Sequence, residues 1–336
     1  MDNIQYDLSE PKTSFSLESN TDPATTVKSN PVMQKKKSDP EIQKPDTKIT
    51  TETNNDDGAE KIKKSKEFEE AVKKFVLKNK PFIAIMTPCF ASITYVDYMS
   101  CLIKTIEMLQ YFNIPVKVEF CKSDSLISRA RNNLIAKSMY NTEVTHMLFI
   151  DNDIVWDPVE VLKLLLSEKD LIGGIYPLKQ YMWDRLKNVS ALSTVLEKKK
   201  TSQLKEIPDE FFLQTNLLNY NVNFLDNTIQ VEKNLTKVKH LATGFMMIRR
   251  EVIEKMMTAF PSTKYTDDIN FLLPEENKYA YALFDCGVED NHYYSEDWMF
   301  CHRWSKMGGD VFVDVSINLA HIGIENYRGS FISTTI

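Results

Sequence analysis

The chain has 336 residues, 43% of them hydrophobic, with 41 Lys+Arg against 47 Asp+Glu and a net charge of −6. That length allows one large or two small cores. An acidic chain with no basic stripe is a poor match for extended nucleic-acid contact. Its five cysteines (Cys89, Cys101, Cys121, Cys286 and Cys301) form no CxxC pair, which argues for a reducing compartment and against structural zinc. No apolar run approaches the roughly 20 residues needed to cross a bilayer. The polar N-terminus does not read as a signal peptide, so a cytoplasmic location is expected.

Residues 1–60 are rich in Ser, Thr, Asn, Lys and Pro, with Tyr6 and Phe15 as their only aromatics. They hold 7 Lys against 12 Asp+Glu, a net −5. Such a segment cannot bury enough apolar surface to offset its ordering entropy, so a disordered tail is predicted. Residues 61–336 read as one α/β domain. Phe68, Val72, Phe75 and Val76 stand at i, i+4, i+7 and i+8, the spacing of an amphipathic helix. Phe82–Met86 reads as a buried first strand that ends at Thr87-Pro88. A helix over 95–112, a strand over 116–120, a helix over 125–140 capped by Ser123-Asp124-Ser125, and a strand over 145–150 follow. A helix over 158–168 and a strand over 170–176 complete the series. Strand and helix in alternation predict a mostly parallel sheet of crossover units, with 80–176 as a nucleotide-binding half.

Residues 178–236 are less regular and contain the basic run Lys198-Lys199-Lys200, which suggests an insertion or lid. Order returns with the strand-like Leu241–Ile248 and a helix over 250–259. Tyr279–Cys286 reads as another strand. Ser295-Glu296-Asp297-Trp298 opens a helix that runs to about Met307 and stops at Gly308-Gly309. Asp310–Leu319 alternates as a last strand and leads into Ala320-His321.

Chemistry concentrates at Asp151-Asn152-Asp153, directly after the apolar Met147–Ile150. In extended chain residues i and i+2 point to one side. Two carboxylates placed so repel unless a cation sits between them. Hard divalent ions such as Mg²⁺ and Mn²⁺ take such ligands, often with substrate phosphates. Asp157-Pro158 then starts a helix as N-cap and first helical residue. A calcium loop of the EF-hand type would need Gly at position six and Glu at position twelve, where Trp156 and Leu162 stand. Asp151–Val155 also fits the DxDx(T/V) string of haloacid-dehalogenase-type phosphatases, with Asp151 as nucleophile. That string normally lies on a domain's first strand, and here at least two strand–helix units precede it.

The third reading is a nucleotide-sugar glycosyltransferase. Leu126–Leu134, the apolar strand with Asp151-Asn152-Asp153, and Gly173-Gly174-Ile175-Tyr176-Pro177 resemble GT-A fold glycosyltransferases, most closely family-2-like and Anp1-like members. Ala242–Arg249 and Ser295–Trp298 are similar to their acceptor-side motifs, in the right order. The likeness spans about 81–323 and leaves out the tail and most of 180–236. It implies a GT-A-type Rossmann-like sheet flanked by helices, with 237–325 as an acceptor half. It implies a metal-dependent enzyme that moves a sugar from a nucleoside diphosphate sugar, UDP-linked before GDP-linked, to a hydroxyl on a glycan or protein, with inversion.

The same likeness implies a set of site residues. Asp151 and Asp153 would hold Mn²⁺ or Mg²⁺, and a late histidine, His321, would complete the metal site. Thr87, Pro88, Arg129, Arg131, Asn132, Asp151 and Asn152 would line the donor. Gly244 and Phe245 would face the acceptor; apart from the likeness, Tyr181 and Trp183 in the loop after Pro177 are candidates to line an acceptor groove. Asp297, with Glu296, would be the general base. The plainer reading of Glu296-Asp297 is a pair of acids meeting a helix dipole. A non-catalytic sugar- or nucleotide-binding relative is a further alternative.

Overall fold

A computed structural model describes residues 55–187, 208–225 and 229–325, with positions 193, 196, 197, 199 and 200 between the first two ranges. Of the expected tail, 1–60, the first 54 residues lie outside the described residues, as does Lys198 of the basic run. The first helix, α1 (Asn55–Asn79), starts before the expected end of the tail. The elements then alternate: β1 (Ile83–Cys89), α2 (Val96–Tyr111), β2 (Val116–Lys122), α3 (Ile127–Tyr140) and β3 (His146–Ile150). A two-residue β4 (Ile154–Val155), α4 (Pro158–Leu166), β5 (Leu171–Gly173) and β6 (Pro177–Tyr181) follow. Next come α5 (Asp209–Asn216), β7 (Leu218–Tyr220), β8 (Val222–Phe224), β9 (Leu235–Leu241), β10 (Phe245–Arg249) and α6 (Arg250–Ala259). The chain closes with the hairpin β11 (Gly287–Glu289) and β12 (His292–Tyr294), then α7 (Glu296–Lys306), β13 (Val311–Asp314) and β14 (Ala320–His321).

An 8-stranded sheet runs in the order β2-β1-β3-β10-β5-β13-β9-β8. β2, β1, β3, β5, β13 and β8 point one way; β10 and β9 point the other. Helices cover both faces, which is why the strands read as unbroken apolar runs rather than alternating ones. Within β1, Ala84 and Met86 face one core and Ile83 and Ile85 the other; in β3, Met147 and Phe149 oppose Leu148 and Ile150. The first core is closed by Leu134 and Met139 of α3, Val252 and Met256 of α6, and Phe300 and Trp304 of α7. The second is closed by Val72 and Phe75 of α1, Tyr98, Leu102 and Leu109 of α2, and Leu162 and Leu165 of α4. α2 and α3 thus leave β1 and β2 on opposite faces, and the strand order reverses between β1 and β3. Crevices at the carboxyl ends of strands beside such a reversal are where open α/β sheets bind ligands.

Two expected strands shorten and a third is absent. β5 stops at Gly173 because the chain there presses on β10: a Cβ on Gly173 would lie 2.2 Å from the Phe245 carbonyl oxygen. The expected strand over 310–319 ends at Asp314, whose carboxylate accepts from the Ser316 N–H and hydroxyl and turns the chain. Tyr279–Cys286 is not a strand. Ala280, Leu283 and Phe284 are buried, but Asn132 binds both backbone groups of Phe284, and Arg303 binds the carbonyls of Ala282 and Leu283. Side chains there do the work of a ladder, which an apolar run alone cannot reveal.

Candidate active site

The third strand delivers Asp151 at its carboxyl end. The Asp151 N–H donates to the Gly244 carbonyl at 3.0 Å, so the entry to β10 fixes the turn. One turn into α3, Arg131 is only 4% exposed and meets both carboxylate oxygens of Asp151, Nη1 at 3.0 Å and Nη2 at 3.2 Å. Its Nε reaches Glu296 Oε1 at 3.4 Å, at the start of α7. The guanidinium also lies over the Phe149 ring, 5.3 Å from its centroid. A planar fork suits this double engagement, and a lysine would not reproduce it. Burial alone would push Arg131 toward losing its proton; Asp151 and Glu296 more than offset this and raise its pKa. One buried cation therefore joins the acids of the strand end to the acids of the helix start.

Asp297 is half-buried, and its Oδ1 accepts from the Ser295 hydroxyl and the Trp298 N–H. Its pKa is raised, first by burial and then by the neighbouring Glu296 charge, against the lowering effect of those hydrogen bonds and Arg131. A carboxylate at a helix start ordinarily shifts the other way. A carboxylate raised toward neutrality is a better proton acceptor than an ordinary aspartate.

Asp153 sits in a second group. The β14–β4 pairing brings His321 opposite Ile154, and the Ile322 N–H donates to the Asp153 carbonyl at 2.8 Å. His321 Nε2 lies 3.4 Å from Asp153 Oδ2, and Lys179 Nζ lies 2.5 Å from the same oxygen. His321 Nδ1 is 2.8 Å from the Pro177 carbonyl oxygen. A carbonyl only accepts, so Nδ1 carries a proton, and Nε2 is the ring nitrogen turned toward Asp153. A metal-ligating histidine is commonly held this way by its other nitrogen. Burial would raise the Asp153 pKa, but His321 and Lys179 together hold it below the usual carboxylate value. Among the described residues no three His, Cys, Asp or Glu side chains form a metal cluster. Two protein ligands nevertheless fit a hard ion that takes the rest of its shell from phosphate oxygens and water.

Tyr176 lies between the two groups. It is buried, its ring stands 5.1 Å from that of His321, and the Gly244 N–H donates to its hydroxyl at 3.3 Å. A Cβ on Gly244 would come within 2.7 Å of the Tyr176 ring. Beyond His321 and Lys179 opens a cavity of about 440 Å³, walled by Tyr181, Phe211, Phe212 and Tyr220. Trp183, 58% exposed, leans on Tyr181 with ring centroids 4.9 Å apart.

The structure gathers Arg131, Asp151, Glu296 and Asp297 into one group and Asp153 and His321 into another. Other expected site residues have different engagements. Arg129 points away from Asp151 and binds Asp124, with its Nη2 at 2.8 Å. Asn132 is 3% exposed and spends its amide on Phe284. Phe245 is fully buried against Trp156 rather than facing an acceptor. The Thr87 hydroxyl is buried on Tyr98, at 2.5 Å, and Pro88 is buried beside it in β1. The Asn152 amide donates to the Ile93 carbonyl at 2.7 Å, and its carbonyl accepts from Tyr95, so it holds the loop after β1. Sequence reasoning did not single out Lys179 or Tyr176 as site residues. For Lys179 the available signal was its place in an extended run directly after the Gly-Gly-Ile-Tyr-Pro segment.

No family model matches the chain, and no curated protein does. Among solved structures it is similar to A197 from STIV, with a TM-score of 0.39 and 14% identity over 72% of this chain and 86% of that one. It is also similar to the inositol-1-phosphate CTP transferase from T. maritima, with a TM-score of 0.32 and 10% identity over 72% of this chain and 89% of that one. At this level of likeness neither neighbour carries a statement about what this chain does.

Proposed function

We propose that the chain is a metal-dependent, GT-A-type glycosyltransferase that moves a sugar from a nucleoside diphosphate sugar, UDP-linked by preference, to a hydroxyl acceptor with inversion. The observation that carries this reading is Arg131, which bonds Asp151 and Glu296 at once and so unites two acidic motifs 145 residues apart at the carboxyl end of the sheet (296 − 151). In this reading Asp153 and His321 hold Mn²⁺ or Mg²⁺, with Asp151 beside them fixed by Arg131. Held there, such an ion would supply Lewis-acid stabilisation of the negative charge that develops on the departing nucleoside diphosphate. Asp297 takes the acceptor's proton through Oδ2, the oxygen its bonds to Ser295 and Trp298 leave over. The acceptor oxygen then bonds to the anomeric carbon as the bond to the diphosphate oxygen breaks. The cavity beside His321 gives the acceptor an aromatic wall that includes Tyr181, one of the two aromatics expected there, and Tyr220, while Trp183 and Phe245 are not part of it.

A phosphatase reading needs a free nucleophilic carboxylate at Asp151. Both of its oxygens are held by a buried guanidinium, which counts against in-line attack on phosphorus. The test is a thermal-shift and hydrolysis screen of nucleotide sugars with and without Mn²⁺. Stabilisation and slow donor hydrolysis with one UDP- or GDP-sugar, dependent on the ion, are expected. Stabilisation by none of them in any metal would sink the proposal, and binding without transfer or hydrolysis would make the chain a non-catalytic binder.

A further inference from the structure

Among the described residues Lys179 is the lysine or arginine paired with Asp153, and it comes from outside the sheet. It lies on β6, which pairs with β7 rather than with the eight-stranded sheet. Its stem crosses Gly323 closely enough that a Cβ there would stand 2.8 Å from Lys179 Cδ. The glycine therefore makes room for the stem to reach Asp153. Its side chain is 38% exposed, so the ammonium has open solvent to swing into. Lys179 and His321 both address the same oxygen, Oδ2. A divalent ion on Oδ2 and Nε2 would claim the same place.

We infer that Lys179 is a tethered cation that occupies the Asp153 cation position while the donor is absent and passes to the donor's diphosphate when a divalent ion enters. This rests on the metal-dependent reading of the site above. An ammonium and a divalent ion repel each other at one carboxylate oxygen. The ion's arrival therefore ejects Lys179, and the phosphate oxygens nearby are the strongest acceptors open to it.

The test compares full-length wild type with Lys179→Met, which keeps a hydrocarbon stem over Gly323 and removes the charge. Mn²⁺ binding is measured by electron paramagnetic resonance with no nucleotide present, and UDP binding by calorimetry at saturating Mn²⁺. The variant should bind Mn²⁺ tighter by about threefold, the scale of losing one partly exposed ion pair, and should bind UDP more weakly. Equal or weaker Mn²⁺ binding by the variant overturns the inference while leaving the transferase reading intact, provided wild type binds UDP with Mn²⁺. Mn²⁺ binding by neither protein without nucleotide overturns the inference, and failure of wild type to bind UDP even at saturating Mn²⁺ overturns the transferase reading as well.

Discussion

The two halves of the site differ in how they hold charge. The Arg131 half is built into the core: a 4% exposed guanidinium stands over Phe149 and between two carboxylates. In the Asp153 half it is the cation that faces solvent: Lys179 is 38% exposed, whereas the carboxylates of the two halves are alike, Asp153 at 20% and Asp151 at 25%. Buried ion groups are costly to break because the abandoned charge has nowhere to go. Exposed ones exchange partners at little cost. The first half is thus suited to fixing geometry, and the second to receiving an ion and a substrate. That division follows from topology. Asp151 lies where β3, β10 and α3 converge, whereas Asp153 is met by a two-residue strand and an edge segment.

The sharpest break is Arg131→Met. It leaves Asp151 and Glu296 facing one another without a cation, and unfolding free energy should fall by about 3–5 kcal/mol. Chemical denaturation measures this; a loss under about 1 kcal/mol would mean the guanidinium is not holding the two motifs together. Asp297→Asn should instead leave the fold standing and lower the turnover rate by about 10²–10⁴-fold, the range for a lost general base. Donor affinity should hardly move. If donor affinity falls as much as turnover, Asp297 binds rather than takes protons. Because its pKa is raised, the acid limb of the rate profile should lie above the ordinary aspartate value.

Much of this was legible in the chain itself. Apolar runs such as Phe82–Met86 and Met147–Ile150 announce strands buried on both faces, and Asp157-Pro158 announces α4, whose Val159 N–H the Asp157 side chain accepts at 3.0 Å. The strand-end position of Asp151 was equally plain. Which arginine of the α3 motif turns inward was not. Arg129 and Arg131 differ by two residues, about 200° around a helix, and only the partners on neighbouring elements decide between them. Asn132 illustrates a further limit. A polar residue in a motif looks like a ligand-binding group, but its partner, the backbone of Phe284, is 152 residues away. Hydrogen bonds between distant elements leave no periodic trace. Lys179 lies in an extended run just after the Gly-Gly-Ile-Tyr-Pro segment, but its pairing with Asp153, 26 residues back, follows from how β6 is placed rather than from any periodicity.

A smaller effect concerns acid stability and lies outside both halves. Burial pushes His146, beside Arg249, and His240, near Lys239, down to about 4 from 6.5. The unfolded chain then binds protons more readily than the folded one. Stability is complete above about pH 6.5 and is lost as pH falls from there toward 4. Melting temperature should drop across that window, and His146→Gln should flatten part of the drop. An unchanged profile would mean that His146 takes up a proton in the folded protein. The smallest expected effect sharpens the contrast with Arg131. Lys179→Met should change unfolding free energy by less than about 1 kcal/mol, because its ion pair is partly exposed. A loss as large as that of Arg131→Met would erase the distinction between the halves.

The central claim is that Asp153 carries the ion through which a nucleotide sugar is held. Calorimetric titration of UDP and UDP-sugars into wild type and Asp153→Asn, each with Mn²⁺ and with a chelator, tests it most directly. The account predicts binding to wild type with Mn²⁺, a loss of tenfold or more in the chelator, about 1.4 kcal/mol, and no effect of Mn²⁺ on the variant. Equal Mn²⁺-dependent binding by wild type and Asp153→Asn would contradict it.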